Sequence, residues 1–316
     1  MRHRLDWAVL VALTAVAAYF VFAWSSKGAR GIHPVEAGTS DAFQRTNTAM
    51  THDYVHGYSN REGARLLDQA STLAELLHGD TRYPAGSSVL EAGCGVGAQT
   101  VILARNSPEA RFTSVDLSAE SLEQARLRAA EADVRNVTFR QADIFDLPFP
   151  RESFDHVFLC FVLEHLAVPG RALQLLRSRL KPGGTLTVIE GDHGSTFFHP
   201  EGPNARRAIQ CLVDLQARAH GDALIGRKLF PLLSRAGFSA IAVSPRTVYV
   251  DASRKEWVEG FTKSTFTAMV EGVREQAVGL GLMQPRAWDE AIAELRRAAG
   301  PEGVFCYTFF KAVGFR

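Results

Sequence analysis

Apolar residues fall into three regimes along the chain. The first is the run from Trp7 to Trp24, 18 residues with Thr14 as its one clearly polar member. As a helix rising 1.5 Å per residue it spans about 27 Å, close to the hydrocarbon thickness of a bilayer. Trp7, Tyr19 and Trp24 stand where interfacial aromatic residues stand. The pattern predicts a single N-terminal membrane helix over 1–24. A cleaved signal peptide is the rival reading, but its apolar region is normally shorter and no clean A-x-A site precedes Ser25.

The second regime, 25–57, is polar and punctuated by Gly28, Gly31, Pro34 and Gly38, and reads as a flexible tether. The third, 58–316, alternates between two periods. Asn60 is placed to cap a helix whose apolar positions Leu66, Ala70, Leu73 and Leu77 keep helical spacing until Gly79. Strands are predicted at 88–92, 111–116, 137–142, 155–161 and 185–190, with helices at 97–106, 118–132 and 169–180 between them. The run Val157-Phe-Leu-Cys-Phe-Val162 is continuously apolar, as a strand covered on both faces must be. This alternation predicts a parallel sheet with helices on both sides. Beyond it come helices at 204–220 and 226–236, a strand at 240–250, helices at 254–281 and 286–299, and a last strand at 304–313. The late helices form an insertion over about 252–300.

Composition narrows the class. With 46% hydrophobic and 22% charged residues the chain is neither disordered nor a disulfide scaffold. Thirty-five Lys and Arg against 34 Asp and Glu leave a net charge of +1, so no bulk charge advertises nucleic acid. Cys94, Cys160, Cys211 and Cys306 are scattered through apolar stretches and predict buried thiols rather than a metal or redox pair. No His, Asp or Glu cluster has metal-ligand spacing, so no metal is expected.

The sharpest chemistry sits at Val89-Leu-Glu91-Ala-Gly93-Cys-Gly95-Val-Gly97, where a buried strand runs through glycines into a helix. Such a turn lets a ligand touch the main chain, and the helix start offers unpaired N–H groups. The loop alone also satisfies a relaxed dinucleotide fingerprint. Three acids shift the balance. Asp116 closes the second strand, where it can accept from ribose hydroxyls. Glu91 precedes the glycines, where a pyrophosphate is repelled and a cationic ligand is welcome. Asp143 ends the third strand, placed to accept from an adenine amino group while Ile144 packs on the ring.

Taken with Val115-Asp116-Leu117-Ser118, Gln141-Ala-Asp-Ile144, Ser153-Phe-Asp-His-Val157 and Leu180-Lys-Pro-Gly-Gly184, this loop resembles the class I S-adenosylmethionine-dependent methyltransferases. The resemblance runs over roughly 58–316. It implies a Rossmann-like, seven-stranded, mostly parallel sheet with the last strand antiparallel and helical lids, and S-adenosyl-L-methionine as cofactor. It also implies that Gly93, Gly95 and Gly97 line the methionine and ribose, that Asp116 holds the ribose with Leu117 beside it in the cofactor site, and that Asp143 with Ile144 holds the adenine. The carbonyl near Cys160 or Phe161 would face the methionine amine. Tyr58 and Arg61 are candidates to close over the donor.

Methyl transfer from an activated sulfonium needs an aligned nucleophile, and a base only where that nucleophile must lose a proton. Strand five is followed by Glu190-Gly-Asp192-His193, so His193 is the candidate base with Asp192 or Glu190 to orient it. A backbone role in a glycine turn is the alternative, and for Glu164-His165 loop fixation is the stronger one. Phe261 to Met269 suits an apolar roof or a helical core equally. The fourth strand lacks an Asn/Asp-Pro-Pro-aromatic ending and no basic, aromatic-interleaved stretch suggests RNA, so the acceptor is expected to be a small molecule, lipophilic if the anchor is real. Quinone- or sterol-type C-methylation, O- or N-methylation, a non-catalytic donor sensor and an NAD-linked oxidoreductase are the competing readings. Arg2 and Arg4 precede the apolar run and Lys27 and Arg30 follow it, so charge does not set orientation. Need for a cytosolic donor puts the domain on the cytoplasmic side of the membrane.

Overall fold

The computed structural model describes Ala70 and residues 72–316. The expected anchor at 1–24, the tether at 25–57, the cap Asn60 and the lid candidates Tyr58 and Arg61 lie outside the described residues. Among the described residues no helix is long and apolar enough to cross a membrane.

Seven strands form one sheet: β1 (Ser88–Ala92), β2 (Arg111–Asp116), β3 (Val137–Gln141), β4 (Phe154–Cys160), β5 (Leu180–His199), β6 (Ser239–Asp251) and β7 (Val304–Phe315). Their order is β3-β2-β1-β4-β5-β7-β6. The first five pair in parallel, and β7 runs antiparallel to both β5 and β6. Parallel neighbours need crossovers, supplied by helices Ala98–Asn106, Ala119–Glu131 and Pro169–Arg179. The chain moves outward from β1 through β2 to β3, then returns to place β4 on the other side of β1. That reversal opens a crevice beyond the carboxyl ends of β1 and β4, where ligands bind in such sheets.

Alternate strand residues feed two cores. Val89, Phe158 and Ile189 pack with Leu212 and Leu215 of helix Pro203–Arg218 and Trp288 and Leu295 of helix Pro285–Ala298. Leu90, Val157, Leu159 and Val188 pack on the other face with Leu173 and Leu176, and with Leu229 and Leu233 of helix Leu229–Arg235. All of these are fully or almost fully buried, so truncating one leucine to alanine costs about 2–5 kcal/mol.

Two elements depart from the sequence reading. β5 continues to His199 instead of ending near 190, because β7 pairs with it from Thr185↔Phe315 as far as His199↔Val304. The insertion holds a π-helix, Val258–Thr267. Thr265 and Thr267 donate their hydroxyls to carbonyls five residues back, Gly260 and Thr262, each at 2.7 Å. Hydrogen bonds five apart stack residues five apart, which puts Phe261 and Phe266 on one face, both against Phe305 and Tyr307. In an α-helix they would diverge by about 140°.

Candidate active site

The glycine loop is built as the strand-turn-helix pattern requires. Gly93, Gly95 and Gly97 have φ of 78°, 50° and 77°. At Gly97 a side chain is excluded twice over, by that left-handed backbone and by Ala125, whose Cβ lies 2.8 Å from where an added Cβ would sit. Asp116 at the tip of β2 binds the loop directly. Its Oδ2 accepts from the Gly95 N–H at 2.7 Å and its Oδ1 from the Ser118 N–H at 2.9 Å. Burial raises the Asp116 pKa and these backbone donors oppose the rise. Each carboxylate oxygen keeps a second lone pair, so hydroxyl groups on adjacent ribose carbons fit beside the backbone donors.

Glu91 is 2% exposed and faces inward. Its Oε2 accepts from Ser114 Oγ at 2.6 Å and Thr100 Oγ1 at 2.7 Å, so it braces β1, β2 and the first crossover helix under the loop. Burial pushes its pKa up to about 7, against the pull of those two hydroxyls. Leu117 and Asp143 are exposed, Ile144 is half-buried, and Asp143 Oδ1 accepts from the Phe145 N–H at 2.8 Å. All stand at the carboxyl ends of β2 and β3, on the same rim as the glycines.

The rim continues at the end of β4. Cys160 is buried, and Phe161 adopts φ 58°, a rare state for a bulky residue, with its N–H bonded to Ile189 O at 2.9 Å. The next two N–H groups, of Val162 and Leu163, both donate to Glu190 Oε1 at 3.0 and 2.7 Å. Glu190 is wholly buried, and burial, with Glu164 close by, holds its carboxyl well above the usual range.

His193 sits in a built bulge. Four residues of β5, His193 to Thr196, oppose the single residue Tyr307 of β7 between the pairs Asp192↔Thr308 and Phe197↔Cys306. The bulge is tied throughout: His193 N–H to Ala223 O, Gly194 N–H to Asp192 Oδ1, Ser195 Oγ to Asp192 O, Thr196 Oγ1 to His193 O. Such bulges re-aim side chains. Here His193 Nδ1 meets Tyr307 Oη at 2.7 Å, with the Phe266 ring edge-on at 6.3 Å. Phe161, Phe261 and Phe309 complete an aromatic wall around Tyr307. Asp192, expected to orient His193, instead holds Arg227 in a two-point ion pair at 2.6 and 2.8 Å. Glu190 likewise turns toward the end of β4.

Sequence reasoning missed Tyr307, Arg227, Thr100 and Ser114. Tyr307 is read there only as part of an apolar strand, and its contact with His193 spans 114 residues. Among the described residues no group of three or more His, Cys, Asp or Glu could hold a metal ion.

Residues 90–188 match the family model described as a methyltransferase domain. An uncharacterised 37.1 kDa transposon protein of Streptomyces fradiae is 34% identical over 72% of this chain and 60% of its own length. The 27-O-demethylrifamycin SV methyltransferase of Amycolatopsis mediterranei is 29% identical over 71% of this chain and 76% of its own. A demethylmenaquinone methyltransferase of Listeria monocytogenes is 28% identical over 50% of this chain and 61% of its own. The chain therefore spans about 60% of the length of two of these three relatives. Among solved structures, a candidate methyltransferase from Bacillus halodurans C-125 superposes with a TM-score of 0.50 over 78% of this chain and 98% of that one, at 18% identity, which speaks to the fold. Fold, rim and matched segment define the class: residues 90–188 form a methyltransferase domain.

Proposed function

We propose that the protein transfers a methyl group from S-adenosylmethionine to a small, lipophilic acceptor. The observation that carries this is Asp116, fixed by Gly95 and Ser118 at the tip of β2 with lone pairs to spare for a ribose. In this reading Gly93, Gly95 and Gly97 give the donor their main chain, Leu117 and Ile144 flank the adenine, and Asp143 accepts from its amino group. The cofactor supplies a methyl group on a positively charged sulfur that departs as a neutral thioether. The aromatic wall of Phe161, Phe261, Phe266 and Phe309 excludes water and favours an apolar acceptor over a charged one. His193, held against Tyr307, takes the proton of an acceptor hydroxyl.

Likeness to the rifamycin enzyme supports O-methylation of a secondary metabolite. Likeness to demethylmenaquinone methyltransferases favours quinone-type C-methylation as the second reading. We further propose that 1–24 anchors the chain in a membrane with the domain facing the cytoplasm, which raises its encounter rate with membrane-dissolved acceptors. Tyr58 and Arg61 are assigned to the closing lid. Incubation of the purified full chain with membrane extract and methyl-labelled donor tests the proposal. Label appearing in one lipophilic product is expected; donor binding without label transfer would reduce the protein to a sensor.

A further inference from the structure

One buried oxygen has no use within the fold. Glu190 is 0% exposed, and while its Oε1 accepts from Val162 and Leu163, its Oε2 has no hydrogen-bond partner among the described residues. Leaving a buried acceptor unmade is costly, the more so when charged. Its position is specific. The oxygen already bonded fixes the carboxylate against the turn that ends β4, where Phe161 is held in its left-handed conformation.

A second buried acid, Glu164, lies on the same turn and is 8% exposed. Its Oε2 accepts from Gln216 at 3.2 Å and its Oε1 lies 3.5 Å from His165 Nε2. The nearby basic groups are committed elsewhere: His165 lies against Glu164, and Lys311 on β7 pairs with Asp80. Cys160 on β4 and Tyr307 on β7 are held protonated by burial, and Asp192 further along β5 is neutralised by Arg227. Among the described residues, no lysine or arginine forms an ion pair with either glutamate. Burial, with Glu164 close by, holds the Glu190 carboxyl well above the usual range.

The donor carries two positive centres, and their chemistry differs. A sulfonium has no hydrogen to donate, so it cannot satisfy an orphaned acceptor. An ammonium has three N–H donors and can. We propose that Oε2 of Glu190 receives the α-ammonium group of the donor's methionine part. This rests on the donor reading above. On docking, the O–H bond of the Glu190 carboxyl breaks, the proton leaves to solvent, and a charge-assisted N–H···O bond replaces it.

Calorimetry of the full chain at pH 7, in two buffers of different ionisation enthalpy, counts the protons released. S-adenosylmethionine and S-adenosylhomocysteine, which share the ammonium, should each release about one proton. 5′-Methylthioadenosine, which lacks the amino-acid part, should release none. Glu190→Gln should bind both amino-acid ligands about tenfold more weakly, release no proton, and bind methylthioadenosine as the wild type does. Glu164→Gln leaves the docking oxygen in place, so it should keep wild-type donor affinity within about twofold. Proton release with S-adenosylmethionine alone would assign the effect to the sulfonium and overturn the proposal. Unchanged affinity and proton count in Glu190→Gln would overturn it too. A wild-type chain that binds donor without proton release sinks this inference only; one that binds no donor sinks the methyltransferase reading with it.

Discussion

The imidazole of His193 is held by the phenol of Tyr307, Nδ1 to Oη at 2.7 Å, across two antiparallel strands. The contact depends on an empty place as much as on the bulge. A Cβ on Gly191 would lie 2.3 Å from Tyr307 Oη, so the strand before His193 must be bare there for the phenol to reach the ring. Burial holds the Tyr307 phenol well above its ordinary pKa, so it meets the ring as a neutral group. Tyr307→Phe removes one hydrogen bond and little volume. It should lower methyl transfer about tenfold, leave donor affinity within about twofold, and shift the His193 ring nitrogen resonances. Unmoved resonances would mean that the phenol does not set the ring.

His193 itself should matter more. If it takes a proton from the acceptor, His193→Ala should reduce label transfer into membrane extract about 100-fold or more, with donor affinity retained. Loss of donor affinity in proportion to rate would instead make the residue a brace for the bulge.

Asp116 serves the loop and, in the proposed reading, the ribose together. Asp116→Asn keeps one oxygen for the Gly95 or Ser118 N–H but loses the charge and an acceptor. Donor affinity should fall by about 2–4 kcal/mol, with the fold intact by circular dichroism. Because burial raises this carboxyl's pKa, wild-type affinity should also weaken as pH drops through the titration. An Asn variant that binds donor like the wild type removes Asp116 from the site.

Glu91 makes stability pH-dependent. Its folded pKa of about 7 exceeds its ordinary value of 4.5, so the folded chain binds this proton more tightly than the unfolded chain. Stability from this group is undiminished below about pH 4.5 and declines as pH rises through 7, by up to about 3 kcal/mol. Glu91→Gln should therefore be more stable than wild type at pH 8, with the gap closing by pH 5, measured by chemical denaturation. Equal stability at pH 8 would show that Ser114 and Thr100 compensate the buried charge in full.

The framework was legible because its signals are local. β2 occupies 111–116 as predicted, and the glycine loop joins strand to helix where the residues require. The acids at 116 and 143 fall on strand tips because a strand's length and its stop are both written in neighbouring residues. What was not legible depends on register between distant segments. Asp192 reads as a partner for the adjacent histidine, yet its carboxylate goes to Arg227, 35 residues away. The aromatic run of β7 reads only as core until the bulge singles out Tyr307. The residues 258–267 carry a helical pattern compatible with either hydrogen-bond spacing, so the π-helix was hidden.

Gly97 offers a test in which sterics and backbone conformation separate. An alanine there must hold φ near 77° and place its Cβ 2.8 Å from Ala125 Cβ and 2.9 Å from Ala125 Cα. The first strain belongs to the turn alone and is worth about 1–2 kcal/mol. The second pushes on helix Ala119–Glu131 and is worth about 1–3 kcal/mol. Gly97→Ala should thus lose about 2–5 kcal/mol of stability, and donor affinity with it as the loop shifts. Ala125→Gly alone should cost about 1 kcal/mol as a helix substitution. In the double variant the Cβ collision is relieved while the left-handed backbone remains, so the two costs should sum to more than the measured loss. Strict additivity would mean that the helix already moves aside and that backbone conformation alone demands glycine at this turn.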